Sequence, residues 1–293
     1  GCDTFGMPLL ADNAHGAYLR FLPGEPLHPI ALGAAMCCDS AHKTLPVVTG
    51  GAYLHLGENA PVQEEAAVRG ALALFGSTSP SYLILQSLDA CNRVLAKTYP
   101  VGRQRCCARL AALRGELNAA AQAAGCPVPL ALDGPGREPL KLTLDAAALG
   151  VTGTALADAL RGGQLECEYA DPRYVVLMFT PCNPPQDYAR LRTVLRQCLH
   201  GLPAAGGLPQ PEELAGEFMA LAQQARAHCT IRQAVFAPQE RIPVQQALGR
   251  ICAIPTVSCP PAIPIAVSGE EITPAALELM QRYGVTEVSV LRR

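Results

Sequence analysis

Short apolar runs that stop at polar residues dominate the first third of the chain. Met7–Ala11 is one such run, ends at Asp12, and predicts a buried interior strand with neighbours on both sides. Ala34–Cys38 predicts a second strand, ending at Asp39-Ser40, and Ala52–Leu56 a third, after Gly50-Gly51. Strands of this kind, separated by longer connections, predict an open α/β sheet. Ligands of such sheets bind beyond the strand ends, so Asp12 and the residues after Asp39 are the first places to look for chemistry.

Helical patterns follow over 62–75, 80–98 and 101–124. Pro80 suits a first helical turn, where a missing N–H costs nothing, and Pro100 stops that helix. Pro and Gly clusters between 125 and 136 mark a domain boundary. Residues 139–202 read as a compact α/β unit. Its strands are predicted at 140–144, 166–169 and 174–179, and a helix at 155–161 is capped by Thr152 or Thr154. A helix over 185–200 closes it. A Gly/Pro/Ala linker at 203–211 leads to a helix at 211–227, a Pro-rich region and a last helix near 273–283. The domains expected are therefore 1–136, 137–205 and 206–293.

Composition narrows the class. With 49% hydrophobic and only 16% charged residues, the chain has the apolar surface to bury a core. A net charge of −2 without a basic block removes the electrostatic case for nucleic-acid binding. No stretch approaches the ~20 apolar residues that span a bilayer, so no membrane partner is expected. The 13 Cys include no C-x-x-C, and they read as buried thiols of a reduced, cytoplasmic protein. Adjacent Cys pairs do not meet zinc-ligand spacing, so no metal site is expected. Of 23 basic residues only Lys43, Lys97 and Lys141 are lysines. Arg holds its proton at any working pH, so amine chemistry must fall to one of these three.

Ser40-Ala41-His42-Lys43-Thr44 places a lysine among small and hydroxyl residues just past a predicted strand. Asp12-Asn13-Ala14-His15-Gly16 also follows one, 31 residues before Lys43. Neighbouring strand ends would hold Asp12 and Lys43 at one edge of the sheet. Pyridoxal phosphate needs such a pair: an amine for the internal imine and a carboxylate that keeps the ring nitrogen protonated. Ala14 and Ala41 leave room for a flat ring, and His42, Ser40 and Thr44 offer groups to phosphate or imine. The competing reading is a solvated surface lysine.

The two segments, Asp12-Asn13-Ala14-His15-Gly16-Ala17-Tyr18 and Asp39-Ser40-Ala41-His42-Lys43-Thr44-Leu45-Pro46, resemble the Asp and Lys motifs of the Orn/Lys/Arg decarboxylase family. The resemblance continues through Gly50-Gly51-Ala52-Tyr53-Leu54-His55, Ser77-Thr78-Ser79-Pro80-Ser81-Tyr82, Glu166-Cys167-Glu168-Tyr169-Ala170-Asp171 and Tyr174–Phe179. It reaches Ala247–Ala253 and Cys259-Pro260-Pro261-Ala262-Ile263-Pro264. It implies an α/β fold: part of a PLP-dependent transferase-like large domain with a mostly parallel sheet, then a small α/β domain and a C-terminal α+β domain. It implies Lys43 as the Schiff-base lysine, Asp12 as partner of the pyridine nitrogen and Ala14 as the small residue below the ring. Ser40, His42 and His15 then lie near the cofactor, and Thr78 in a turn at a helix start becomes a phosphate contact that can reach a neighbouring subunit. The expected activity is decarboxylation of a small-molecule amino acid, lysine, ornithine or arginine, by a homodimer or higher homo-oligomer in polyamine-type metabolism. Aminotransferase or aldolase chemistry, or a truncated non-catalytic chain, are the alternatives.

Two departures fall near the presumed substrate entrance. Ile254 stands where the family has an acid, and Cys259-Pro260-Pro261-Ala262 where many members have Tyr-Pro-Pro-Gly. Family members also place a phosphate-binding turn and a ring-stacking residue before the Asp motif, so an N-terminal part is expected to be missing and this chain alone to retain pyridoxal phosphate poorly. His28 and His55 read as structural, His200 and His228 as helix-terminal or exposed. Cys2, Cys37 and Cys38 read as packing residues, and Glu64-Glu65 as a solvated first helical turn.

Overall fold

The computed structural model describes residues 2–22, 26–134, 136–201, 211–257 and 264–292, which fall into two units. The first comprises residues 1–106 with 180–182. Its sheet is built from β1 (Leu10–Asp12), β2 (Met36–Asp39) and, after the one-turn helix α1 (Ala41–Thr44), β3 (Tyr53–Leu56). β1 and β2 run parallel, with Leu10 opposite Met36 and Asp12 opposite Cys38. β2 and β3 run antiparallel, with Met36 opposite Leu56 and Asp39 opposite Tyr53. Helices α2 (Glu65–Phe75) and α3 (Tyr82–Lys97) follow, and α4 (Tyr99–Ala123) begins in this unit. Pro100 ends one helix and sits in the first turn of the next, as its missing N–H allows. Pro80 lies just before the cap residue Ser81 and not inside α3.

One expectation fails here. Met7–Ala11 is apolar but not interior: Met7 is 55% and Leu10 61% exposed, and only Leu10–Asp12 is strand. Apolarity predicts burial only where a second element covers the strand, and β1 is the sheet edge, paired among the described residues on one side alone. The same holds for α2, which buries no side chain among the described residues and leaves Phe75 93% exposed.

The second unit comprises residues 107–179 and 183–293. The rest of α4 buries Leu110, Leu113, Leu117 and Ala121, the three- and four-residue spacing of one helix face. β4 (Lys141–Asp145), α5 (Gly153–Gly162), β5 (Tyr169–Ala170), β6 (Tyr174–Met178) and α6 (Pro185–Gly201) follow. Their sheet has the order β4–β6–β5, antiparallel throughout, with Asp145 opposite Tyr174 and Tyr169 opposite Val176. Leu142, Leu144, Val175 and Leu177 form its core with Leu156, Leu160, Leu191 and Leu195. β5 begins later than the expected residue 166, because the turn out of α5, with Gln164 at φ 61°, takes up the intervening residues. Thr152 is the cap of α5, accepting from the Ala155 N–H at 3.1 Å.

Gly153 opens α5 against backbone: a Cβ there would lie 2.3 Å from the Asp171 carbonyl oxygen and 2.6 Å from that of Tyr174. Backbone cannot swing aside as a side-chain tip can. Gly153→Ala is therefore expected to cost at least the ~1–3 kcal/mol of overpacking, read as a lower urea midpoint with unchanged slope. An unchanged midpoint would show that the strand turn yields freely.

The C-terminal part holds α7 (Pro211–Gln224), α8 (Ile231–Phe236), β7 (Gln239–Pro243), β8 (Thr256–Val257), β9 (Pro264–Ala266), α9 (Pro274–Arg282) and β10 (Glu287–Leu291). β7 pairs antiparallel with β10, and β8 with β9. Val244, Cys252, Ile265, Ile272, Leu279, Met280, Val288 and Val290 form one core. The sequence reading names no strand beyond residue 179, so β7 to β10 are additions. The linker at 203–210 and Cys259–Ile263 lie outside the described residues. All described cysteines are free thiols, and no described helix is long and apolar enough to cross a membrane.

Candidate functional site

The parallel pairing of β1 and β2 brings Asp12 and the Ser40–Lys43 segment to the same end of adjacent strands. The Asn13 N–H donates to the Cys38 carbonyl at 2.9 Å, carrying the ladder one residue beyond Asp12. Registered neighbours in a sheet point to one face, so Asp12 and Cys38 share a side. Cys38 is exposed there, not packed as expected, and burial followed by the charges of Asp12 and Asp39 raises its thiol pKa.

Lys43 is exposed on α1, and its amine has no hydrogen-bond or ion-pair partner among the described residues. Ser40 occupies the cap position of α1 without making a side-chain cap bond, so its hydroxyl is not consumed by the helix. His42 is fixed from behind. Its Nδ1 lies 2.9 Å from the Gly51 carbonyl, which accepts the His42 backbone N–H as well. A carbonyl only accepts, so Nδ1 carries the proton and Nε2 is left to face other groups. Gly50, at φ 96°, and Gly51, where a Cβ would meet Val47 at 2.3 Å, make the turn that delivers this carbonyl. Ala14 and His15 are half-buried in the turn after β1. The structure thus brings Asp12, Ala14 and His15 to the strand end adjacent to that carrying Ser40, His42 and Lys43. Thr78 is placed otherwise: it lies in an exposed turn before Ser81, the cap of α3, and no described contact links it to the others.

The opposite face of the sheet holds a group that the sequence reading missed. Asp39 is 2% exposed. Its Oδ1 accepts from Asn13 Nδ2 at 2.7 Å and from the Cys37 thiol at 3.5 Å. Its Oδ2 accepts from His28 Nε2 at 3.0 Å and His55 Nε2 at 2.9 Å. The Ile30 N–H donates to His28 Nδ1 at 3.3 Å, so His28 is the neutral Nε2–H tautomer. Burial alone would raise the Asp39 pKa, but hydrogen bonds from His55, His28 and Asn13 outweigh it and hold the carboxyl well below the usual range. Burial, then Asp39, pushes the Cys37 thiol up to about 12. The ligand-type atoms of His28, Cys37 and Asp39 lie within 4.8 Å of one another. With four donors already on the carboxylate and a protonated thiol, the cluster is a hydrogen-bonded hub. One signal could have found it: strand alternation puts Asp39 on the same face as buried Cys37, and a buried acid requires donors.

Comparison with known proteins bears on the family. The family model for the Orn/Lys/Arg decarboxylase major domain matches residues 2–127, and that for the Orn/Lys/Arg decarboxylase C-terminal domain matches residues 214–285. An arginine decarboxylase of Bacillus subtilis (strain 168) is 30% identical over 280 residues, covering 92% of this chain and 54% of the relative. An arginine decarboxylase of Halalkalibacterium halodurans is 27% identical over 290 residues, covering 94% and 55%. The chain therefore spans about half the length of the curated relatives it matches. Among solved structures, the constitutive lysine decarboxylase of E. coli superimposes with a TM-score of 0.70 at 18% identity, over 99% of this chain and 55% of that one. The lysine decarboxylase of Francisella novicida gives 0.66 at 16%, over 97% and 53%. The fold is thus the α/β one expected, shared over nearly the whole of this chain with these lysine decarboxylases. With both family models matched in order along the chain, this protein belongs to the Orn/Lys/Arg decarboxylase family.

Proposed function

We propose that Lys43 and Asp12 hold pyridoxal phosphate and that the chain serves the decarboxylation of a basic amino acid, lysine, ornithine or arginine. One observation carries the reading: the only lysine in a motif of this kind and a carboxylate lie at the ends of two adjacent parallel strands. The donor set fits the cofactor. Lys43 offers for covalent attachment an amine with no partner among the described residues, Asp12 an exposed carboxylate to hold the ring-nitrogen proton, and Ala14 a small surface beside the ring. Ser40 and His42 supply a hydroxyl and an oriented imidazole to phosphate or attachment point; in this reading His15 assists them, and Thr78 contacts the phosphate of a neighbouring subunit's cofactor. When bound, pyridoxal phosphate supplies the electron sink for the carbon that loses its carboxylate. The net reaction expels that carboxylate as CO₂ and puts a proton in its place.

The names of the relatives support a basic substrate; a cytoplasmic homodimer or higher homo-oligomer and polyamine-type metabolism belong to the same proposal. The domain division at 136 and 205 belongs to it too. Product analysis tests it: incubation with pyridoxal phosphate and each amino acid should yield CO₂ and the matching diamine or agmatine, whereas a keto acid would mean transamination. Asp12→Ala in the active protein is expected to lower turnover on the order of 100-fold, the scale of one positioned proton, while phosphate contacts keep the cofactor bound. Unchanged turnover would remove Asp12 from its role.

A further inference from the structure

We infer that Asp39 is a positioning residue for Asp12, acting through a latch formed by the Asn13 side chain and permitted by Gly16. The inference rests on the proposed cofactor role of Asp12. Asn13 directly follows Asp12 and is held twice: its N–H by the Cys38 carbonyl at 2.9 Å and its side-chain amide by Asp39 Oδ1 at 2.7 Å. Both bonds reach β2, the strand that leads to Lys43, so the peptide carrying Asp12 is fixed against the element carrying the amine. Asp39 itself cannot drift, because Oδ2 is tied to His28 and His55, on the connection before β2 and on β3. A buried carboxylate on the far face thereby sets the strand end on the near face.

Gly16 completes the latch. A Cβ at this position would lie 1.9 Å from Asn13 Oδ1, 2.4 Å from its Cγ and 2.5 Å from Nδ2. The backbone does not require glycine there, since φ is −101°, a value any residue adopts. What requires it is the space taken by the Asn13 amide. Because that amide is the end of a flexible side chain, Gly16→Ala should displace it and leave the fold intact. The glycine closing the Asp12-Asn13-Ala14-His15-Gly16 motif thus acquires a reason: it admits the side chain that connects Asp12 to Asp39.

The test uses this chain with pyridoxal phosphate labelled at the ring nitrogen with ¹⁵N and fixed onto Lys43 by borohydride, so that occupancy does not depend on affinity. The ¹⁵N chemical shift, followed against pH, gives the midpoint at which the ring nitrogen loses its proton. In the unaltered chain Asp12 should hold that proton to high pH. Asn13→Ala and Gly16→Ala should each lower the midpoint by about one pH unit, a tenfold change in the proton equilibrium, toward the Asp12→Ala value, with thermal midpoints close to the unaltered chain. His55→Ala removes one tie on Asp39 Oδ2 but leaves His28 on that oxygen and the Asn13 latch in place, so its midpoint should stay near the unaltered value. Unaltered midpoints in Asn13→Ala and Gly16→Ala, with Asp12→Ala lowered, would overturn the latch and spare the cofactor reading. An equal fall in His55→Ala would replace the latch by general loosening. If Asp12→Ala itself titrates like the unaltered chain, the cofactor role of Asp12 fails, and the latch with it.

Discussion

Lys43→Ala is expected to abolish covalent attachment of pyridoxal phosphate and to lower turnover of the active protein by roughly 10³-fold or more, the scale of losing a covalent nucleophile. No substitute is at hand. The chain has three lysines, and arginine cannot release its proton to act as a nucleophile. Lys97 lies in the last turn of α3, which is followed in the chain by another helix and not by a strand. Lys141 belongs to the second unit and is paired with Glu138 at 3.0 Å. The amine of Lys43 has no such partner among the described residues and follows directly on the strand paired with that of Asp12. Retained turnover in Lys43→Ala would place the chemistry elsewhere.

The second large effect is on stability. Arg173→Ala is expected to cost about 3–5 kcal/mol, measured by urea unfolding with two-state analysis. Arg173 and Asp145 form an ion pair whose side chains are only 8% and 6% exposed, with Nη2 at 2.8 Å and Nε at 3.2 Å from Asp145 Oδ2. Asp145 also accepts the Ala147 N–H at 3.0 Å. Removing the guanidinium strands a buried carboxylate with a single neutral donor, and that uncompensated charge is the source of the loss, more than the attraction forfeited. Replacing both partners with apolar residues of similar volume, Asp145→Leu with Arg173→Met, should recover most of it. A single-variant cost below ~1 kcal/mol would mean that water reaches the carboxylate.

The strand-end geometry was legible because it is written locally. Apolar runs ending at Asp12 and near Asp39 gave strand ends, and the parallel pairing that joins them is the usual outcome of strand, connection, strand. The longer helices were legible by their periodicity and stops, with Thr152 and Pro100 falling where their chemistry allows, whereas the short α1 and α8 were not read and Pro80 stands outside α3. What failed was whatever depends on a distant partner. Met7–Ala11 has the composition of an interior strand, but composition does not say whether a neighbour covers it. The Asp39 hub needs His28 and His55, 11 residues before and 16 after it, and no short motif joins three such positions. The strands after residue 179 lay in Pro-rich sequence, where β7 ends on Pro243 and β9 begins on Pro264, both positions at which a sheet tolerates a missing N–H. The alternation Val288-Ser289-Val290 was present and buries both valines, yet it follows the last helix too closely to stand out.

The central claim is that Lys43 is the amine that takes pyridoxal phosphate, and borohydride trapping tests it most directly. The chain is incubated with excess pyridoxal phosphate, reduced, digested and mapped by mass spectrometry. Because only Lys43, Lys97 and Lys141 compete among the side chains, their relative labelling is a complete readout of side-chain attachment. The account predicts label concentrated on Lys43. Label spread evenly over the three lysines, or concentrated on Lys97 or Lys141, would contradict it.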